Sequence, residues 1–414
     1  MKNLTWQNPE QLFVAQELIN KVKSKCCGIK EKYKKELLEQ VVPFWLEHSQ
    51  DRQCGGYFTC LLRDGKVFDT DKFIWLQGRE VWFFSFLYNK VEKRPEWLEC
   101  AVQGGEFLKK YGHDGNFNWY FSLTQDGKPL VAPYNIFSYT FAAMAFGQLS
   151  LATGNKEYEE IARKTYARIL EKMDNPKGQW NKLMPGSRDL KNFALPMIMC
   201  NLSLEIEHLL DKETMDRTIE LCVHEVMDVF YRPELGLVVE NVLTNNQLSD
   251  SFEGRHLNPG HAIEAMWFIM DLGVRLNRSD LIQKATDISL KMIRKGWDEK
   301  YGGIFYFMDR LGYPPQQLEW DQKLWWVHIE SMICMAKGFL LTGNEECWQW
   351  FERVQDYAWT HFKDPEYPEW FGYLNRQGEV LLPLKGGKWK GCFHVPRGMY
   401  QCWQTLQQCA DKYK

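Results

Sequence analysis

The feature that most constrains this chain is a repeat. Six glycines, Gly56, Gly115, Gly178, Gly236, Gly303 and Gly372, each open a stretch of aromatic or β-prone residues, and successive markers lie 59, 63, 58, 67 and 69 residues apart. A loose period near 60 marks a repeat architecture, in which each unit buries its apolar face only against its neighbours. From most markers the chain runs to a polar turn. Asp64-Gly65, Asp126-Gly127, Asn245-Asn246, Leu311-Gly312 and Gln377-Gly378 close hairpin-like stretches, and Gly178-Gln179-Trp180 opens the weakest of the set.

Between the hairpins the helical signals come in pairs. Leu151-Ala152-Thr153-Gly154-Asn155 and Leu340-Leu341-Thr342-Gly343-Asn344 each end an apolar helix at a glycine and start a charged one. The first helix of a pair is nearly apolar all round and must be buried. The second, for example residues 158–173, 281–293 or 348–362, mixes charged and apolar residues as a half-exposed surface helix does. Six inner–outer pairs that close on themselves give an all-α (α/α)6 barrel, a toroid with short β-hairpins at one mouth, and closure removes the capping repeats that an open solenoid needs. Residues 1–29 read as a polar lead-in and 30–414 as one barrel domain, entered through an outer helix with apolar Leu37, Leu38 and Val41.

Length alone, 414 residues, suggests two or three domains, and the repeat overrides that prior. A net charge of -3 gives no reason to expect nucleic acid or a membrane surface as partner, so a small molecule is expected. Twelve cysteines follow no Cys-x-x-Cys spacing, residues 1–13 carry no apolar signal core, and no run approaches about 18 apolar residues. A reduced, soluble, cytoplasmic protein is the expectation.

The repeat also says where a site belongs. In residues 253–267, Asn258 caps and Pro259 opens a helix, which puts His261 in its first turn and Glu264 three residues on, on the same face. There a carboxylate orients the ring or raises its basicity. A lone pair of this kind is more often a helix-terminal histidine with an incidental neighbour. Here the placement recurs: counted from the marker glycines, Arg79 lies 23 residues on, Ser138 23, His261 25, His328 25 and His394 22. With the hairpins at one mouth these positions ring the axis, joined by Glu264, Glu330 and Arg397. His394 and Arg397 repeat the i,i+3 relation after Pro396 has marked a helix entry, whereas Glu330 is two residues from His328 and points elsewhere.

Several signals are weak, and the first of them, a zipper, is rejected. Leu183, Leu190, Met197 and Leu204 have zipper spacing, but Pro185, Gly186 and Pro196 interrupt them. Gly386-Gly387-Lys388-Trp389-Lys390-Gly391 and residues 175–182 are glycine-rich and basic without matching a G-x-x-x-x-G-K-[ST] phosphate loop. No H-E-x-x-H motif occurs, and histidines scattered over three repeats favour acid/base work over a metal centre.

Four blocks carry a family resemblance: Phe73-Ile74-Trp75-Leu76-Gln77-Gly78-Arg79, Asn258-Pro259-Gly260-His261-Ala262-Ile263-Glu264-Ala265-Met266-Trp267, Leu324-Trp325-Trp326-Val327-His328-Ile329-Glu330 and Gly391-Cys392-Phe393-His394-Val395-Pro396-Arg397. Together they resemble the N-acyl-D-glucosamine 2-epimerases, whose mammalian members are also called renin-binding proteins. The resemblance implies an (α/α)6 barrel, a homodimer, interconversion of N-acetylglucosamine and N-acetylmannosamine, and ATP as an activator that is not consumed; renin is a partner only for mammalian-like members. It also implies catalytic roles for His261 and His394, supporting roles for Arg79, Glu264, His328, Glu330 and Arg397, and a nucleotide contact at Lys182, with Lys177 in the same stretch.

The chemistry fits independently. Inverting C2 means removing a proton alpha to the aldehyde of the opened sugar and replacing it from the other face, which calls for two groups that each act as acid or base near neutral pH. His261 and His394 are the expected pair. Glu264 is assigned to ring opening and to tuning His261, and Arg79, His328 and Arg397 to O1 and the developing enediolate charge. Glu330 braces Arg79 or holds a hydroxyl. Trp389 and one of Trp325 and Trp326 are the candidates to stack on the sugar. The alternatives are a cellobiose 2-epimerase or a mannose or sulphosugar isomerase on the same barrel, a glycoside hydrolase relying on two carboxylates, and a non-catalytic renin-type binding protein.

Overall fold

A computed structural model describes residues 24–184 and 186–412. Most of the expected lead-in, and Pro185 of the rejected zipper, lie outside the described residues. The chain is already helical at residue 24, before the lead-in boundary at 29, and this helix (α1, residues 24–48) passes through a π turn at Leu37–Val41. Then α2 (Ile74–Lys90), α4 (Ile136–Thr153), α6 (Ala194–Glu205), α8 (Pro259–Arg275), α10 (Trp325–Thr342) and α12 (His394–Lys412) form the inner ring. Between them α3 (Pro95–Tyr111), α5 (Lys156–Lys172), α7 (Lys212–His224), α9 (Ser279–Gly296) and α11 (Glu345–His361) lie outside.

Each inner helix packs against the next, and Trp82 and Phe86 of α2 close the ring on Phe393, which immediately precedes α12, and on Tyr400, with ring centroids 5.3 and 4.8 Å apart. The outer partner of α12 comes from the other end of the chain: α1 packs on it, with Lys30 Nζ 2.5 Å from Gln407 Oε1. The six helix pairs therefore close as an (α/α)6 barrel, with the two ends of the described chain joined in one unit.

The repeated Thr-Gly-Asn sequence is one physical device used twice. Gly154 and Gly343 end α4 and α10 at φ 70° and 75°, a conformation open to glycine. Asn155 and Asn344 then cap α5 and α11, each side chain accepting from the N–H two residues on at 2.9 Å.

At the mouth the strands do more than form local hairpins. Those of the first, second and sixth units are local: Cys60–Leu61 with Val67–Asp69, Ser122–Leu123 with Pro129–Val131, and Tyr373–Leu374 with Val380–Leu382. The third and fifth are not. Leu190–Asn192 pairs with Asn241–Leu243 of the fourth unit, and Met308–Asp309 with His256–Leu257, the strand that enters α8. Strands entering α2 and α10 likewise pair with the following unit, Lys72–Phe73 with Ser122–Leu123 and Lys323–Leu324 with Tyr373–Leu374. Each pairing ties the start of an inner helix to its neighbour, and this fixes the register of side chains around the axis.

Buried ion pairs pin the same end. Lys72 meets Asp51 at 2.8 Å, Lys323 meets Asp298 at 3.2 Å and Lys385 meets Asp364 at 2.8 Å. The glycine-rich stretch 386–391 belongs to this scaffold: Lys390 is buried against Glu369 at 2.7 Å, and a Cβ on Gly386 would lie 2.1 Å from the Thr59 carbonyl oxygen. Lys390 is therefore committed to a carboxylate, while Lys388 of the same stretch is exposed.

Candidate active site

The interlocked strands hold the N-termini of the inner helices at one mouth. His261 is the third residue of α8 and His394 the first of α12; Arg79, Glu264 and Glu330 are each the sixth residue of α2, α8 and α10. Equal depth in three helices brings their heads together inside the ring.

His394 and Arg397 meet at Glu330. His394 Nδ1 is 2.7 Å from Glu330 Oε1, and Arg397 Nη2 donates to that same oxygen at 2.7 Å and to Glu264 Oε1 at 2.6 Å. Trp267 Nε1 donates to Glu330 Oε2 at 2.9 Å. Glu264, Glu330, His394 and Arg397 are all buried. One ligand atom from each of Glu264, Glu330 and His394 falls within 4.8 Å of the others. Arg397 donates to both carboxylates of that trio and so already places one cation between them.

His261 has a different partner. Its Nδ1 is 2.9 Å from Glu240 Oε1, on the segment joining strands Leu237–Val238 and Asn241–Leu243, and its side chain is 26 % exposed. A histidine Nδ1 that faces a carboxylate carries the proton, so both rings present Nε2 to the reacting molecule. The electrostatics of the two then diverge. Burial opposes charging of His261, but the Glu240 carboxylate, by charge and hydrogen bond, outweighs it with help from Glu264 and raises the pKa. Burial, and then the charges of Arg79 and Arg397, hold His394 well below the usual histidine range against the pull of Glu264.

Trp326 joins the two. It sits on α10, between α8 and α12 in the ring, and its indole lies 5.3 Å from the His261 ring and 5.8 Å from that of His394. Of the two tryptophans considered from sequence, Trp326 is therefore the one at the site; Trp325 packs on Tyr373. Arg79 lies over Trp75, Phe141 and Phe393, 4.1–4.5 Å from their centroids, and no carboxylate among the described residues pairs with it. Burial and the Arg397 charge press its pKa down to about 9. Arg79 Nε and Arg397 Nε and Nη1 are buried donors without acceptors. An uncompensated guanidinium with idle donors is the arrangement that welcomes a developing oxyanion.

Three sequence expectations change. His328 does not face the cavity: its Nδ1 is 2.7 Å from the Leu324 carbonyl oxygen, its Nε2 accepts from Ile304 N–H at 2.9 Å, and burial drives its pKa to about 3. Both ring nitrogens are occupied by backbone, so the ring bolts the fifth hairpin to α10 and has none left for O1. Glu264 hydrogen-bonds Arg397, not His261, which it reaches only through its charge. Glu330 braces His394 and Arg397 rather than Arg79. Trp389 stands at the rim, 52 % exposed, with its ring 5.8 Å from that of Trp75. Lys177 and Lys182 are exposed on the loop flanking the short 3-10 turn Gly178–Trp180. Sequence reasoning missed Glu240; its one trace is an acid directly after Val238 and Val239 in a strand-forming stretch, a pattern that many surface strands share.

A helical toroid with paired histidines, carboxylates and guanidiniums at one mouth defines a proton-transfer site, and similarity to known proteins gives its class. Residues 56–396 match the model of the N-acylglucosamine 2-epimerase (GlcNAc 2-epimerase) family. The chain is 40% identical over 384 residues to the N-acylglucosamine 2-epimerase of Bos taurus, covering 91% of this chain and 90% of that one. Among solved structures, cellobiose 2-epimerase from Bacillus thermoamylovorans superposes with a TM-score of 0.78 at 19% identity, covering 91% of this chain and 99% of that one. A D-mannose isomerase gives 0.79 at 18%, covering 91% and 98%. The chain belongs to the N-acylglucosamine 2-epimerase family, and it is a carbohydrate epimerase.

Proposed function

We propose that this chain interconverts N-acetyl-D-glucosamine and N-acetyl-D-mannosamine by moving the C2 proton of the ring-opened sugar between His261 and His394. The observation that carries the reading is the pair of imidazoles whose rings lie 5.3 and 5.8 Å from that of Trp326, each with Nδ1 held by a carboxylate and Nε2 left for proton transfer. Either ring takes the proton alpha to the aldehyde while the other delivers one to the opposite face. Arg79 and Arg397, with their idle donors, hold O1 and the enediolate charge that builds between the two transfers. Glu264, 2.6 Å from Arg397, is the acid–base group for ring opening. Trp326 and the rim residue Trp389 offer flat apolar faces to the sugar.

The same reading includes a homodimer in the cytoplasm and activation by ATP without hydrolysis. In support of the compartment, all twelve cysteines are unpaired, and no helix among the described residues is long and apolar enough to cross a membrane. The nucleotide reading rests on the family resemblance, which puts a nucleotide contact at Lys182; Lys182 and Lys177 are both exposed on the loop flanking Gly178–Trp180. Without a phosphate loop to aim a γ-phosphate, ATP acts by binding and stabilising the active form.

The test is incubation with N-acetylmannosamine, cellobiose and mannose followed by NMR, with ATP, a non-hydrolysable analogue, or neither. N-acetylglucosamine is the expected product, with equal activation by both nucleotides. Turnover of cellobiose or mannose alone would overturn the substrate assignment, and stoichiometric ADP release would overturn the activator role.

A further inference from the structure

Both histidines have a carboxylate at Nδ1, but the two pairs differ in what else holds the carboxylate. Glu330 shares one oxygen between His394 and Arg397 and gives the other to Trp267 Nε1, so its charge is spent before His394 draws on it. Glu240 is also buried, yet among the described residues no lysine or arginine lies within ion-pair distance of it; His261 is its one cationic partner.

From this asymmetry we propose that Glu240 is a positioning residue that keeps His261 as the protonated donor of the resting pocket, opposite a neutral His394 as acceptor. The assignment rests on the two-histidine reading above and adds to it the arrangement of protons from which one direction starts; the reverse direction starts with the two protonation states exchanged.

The groups around His261 agree. Its own helix supplies Glu264, whose carboxylate is engaged by Arg397. The strand entering α8 supplies His256, which burial keeps below its ordinary pKa and so uncharged near neutral pH. The fifth hairpin supplies Tyr306, a phenol pushed up by burial and therefore neutral. From α10 come Trp326 and the neutralised Glu330, from α12 His394 and Arg397, and from α2 the cation Arg79. Burial opposes protonation of His261; among the described residues Glu240 alone hydrogen-bonds the ring, and its charge, helped by that of Glu264, favours protonation. The shifts follow the same geometry: although burial works to raise its pKa, Glu240 is held below the usual carboxylate range by the His261 charge, and His261 is held above its own.

The sign follows from the donor role. A histidine whose pKa is raised keeps its proton to higher pH, so activity falls on the alkaline side as His261 is emptied, whereas the acid limb belongs to protonation of His394. In Glu240→Gln the amide oxygen still accepts the Nδ1–H, so the ring stays in place and only the charge is lost. The expected result is an alkaline limb of kcat/KM moved to lower pH, with a loss of about tenfold or more on the alkaline side that shrinks as the pH falls. In histidine-labelled protein the His261 resonance, identified by its loss in His261→Asn, should titrate at lower pH in E240Q than in the unsubstituted chain. A superimposable pH profile, or an equal loss at every pH, would overturn the proposal, as would an unmoved His261 titration. The NMR titration does not depend on turnover, so it judges the Glu240 pairing even where failure of the His261 and His394 substitutions to reduce activity has removed the two-histidine reading.

Discussion

Replacing His394 or His261 with asparagine lowers kcat by about two to four orders of magnitude, the usual size of an acid/base contribution, while the melting transition stays near that of the unsubstituted protein. The fold should tolerate both changes for reasons visible in the partners. In His394→Asn, Glu330 keeps Arg397 and Trp267 Nε1 as donors, and in His261→Asn the new amide can still donate to Glu240 at the partly exposed edge of the pocket. Because one histidine removes a proton and the other returns one, neither substitution is compensated by its counterpart. Steady-state kinetics in both directions, alongside circular dichroism, checks this; near-native turnover in either variant would take that residue out of the mechanism.

Arg397→Met is expected to damage the protein twice. The guanidinium bridges Glu264 and Glu330, and its loss strands the buried Glu264 and leaves Glu330 to His394 Nδ1 and Trp267 Nε1, a defect that costs about 3–5 kcal/mol in comparable buried pairs. It also removes one of the two cations facing the enediolate, for which about a hundredfold or greater loss of kcat is typical. Urea denaturation across pH separates the two effects. In the variant a stranded carboxylate takes up a proton more readily in the folded state than in the unfolded chain, so the stability deficit should be widest at neutral pH and narrow as the pH falls toward about 5. A deficit independent of pH would mean that lost packing against Trp267, Phe268 and Phe393, not unpaired charge, is the cause.

How much of this was legible in the sequence depends on how local each signal is. The helix pairs were, because an inner helix that is apolar all round and a Thr-Gly-Asn stop-and-restart are encoded within a few residues. That His261, His394, Arg79 and Arg397 lie at one mouth was legible from their recurrence in the repeat. Strand partners were not: Leu190–Asn192 and Met308–Asp309 pair across units, and nothing in a two- or three-residue strand names a partner 50 residues away. The same blindness produced the errors at the site. His328 sits at the repeat position of a catalytic residue, but only the fold shows that Leu324 and Ile304 already hold both its nitrogens. Glu264 has the spacing to serve His261, yet Arg397, distant in sequence, reaches it first. Glu240, the real partner, lies 21 residues from His261 on a different element, where helical spacing carries no information.

The central claim is that two opposed bases exchange the C2 proton with solvent, and one tube of D2O tests it. If one histidine takes the proton and the other delivers a solvent-derived one, product carries deuterium at C2 from the first turnover, while substrate recovered early carries little, since return without inversion needs the first base to give back the proton it has just taken. Early NMR of N-acetylmannosamine incubated with the protein should therefore show labelled N-acetylglucosamine beside unlabelled starting sugar. Product of inverted C2 configuration that retains its original hydrogen would contradict the account.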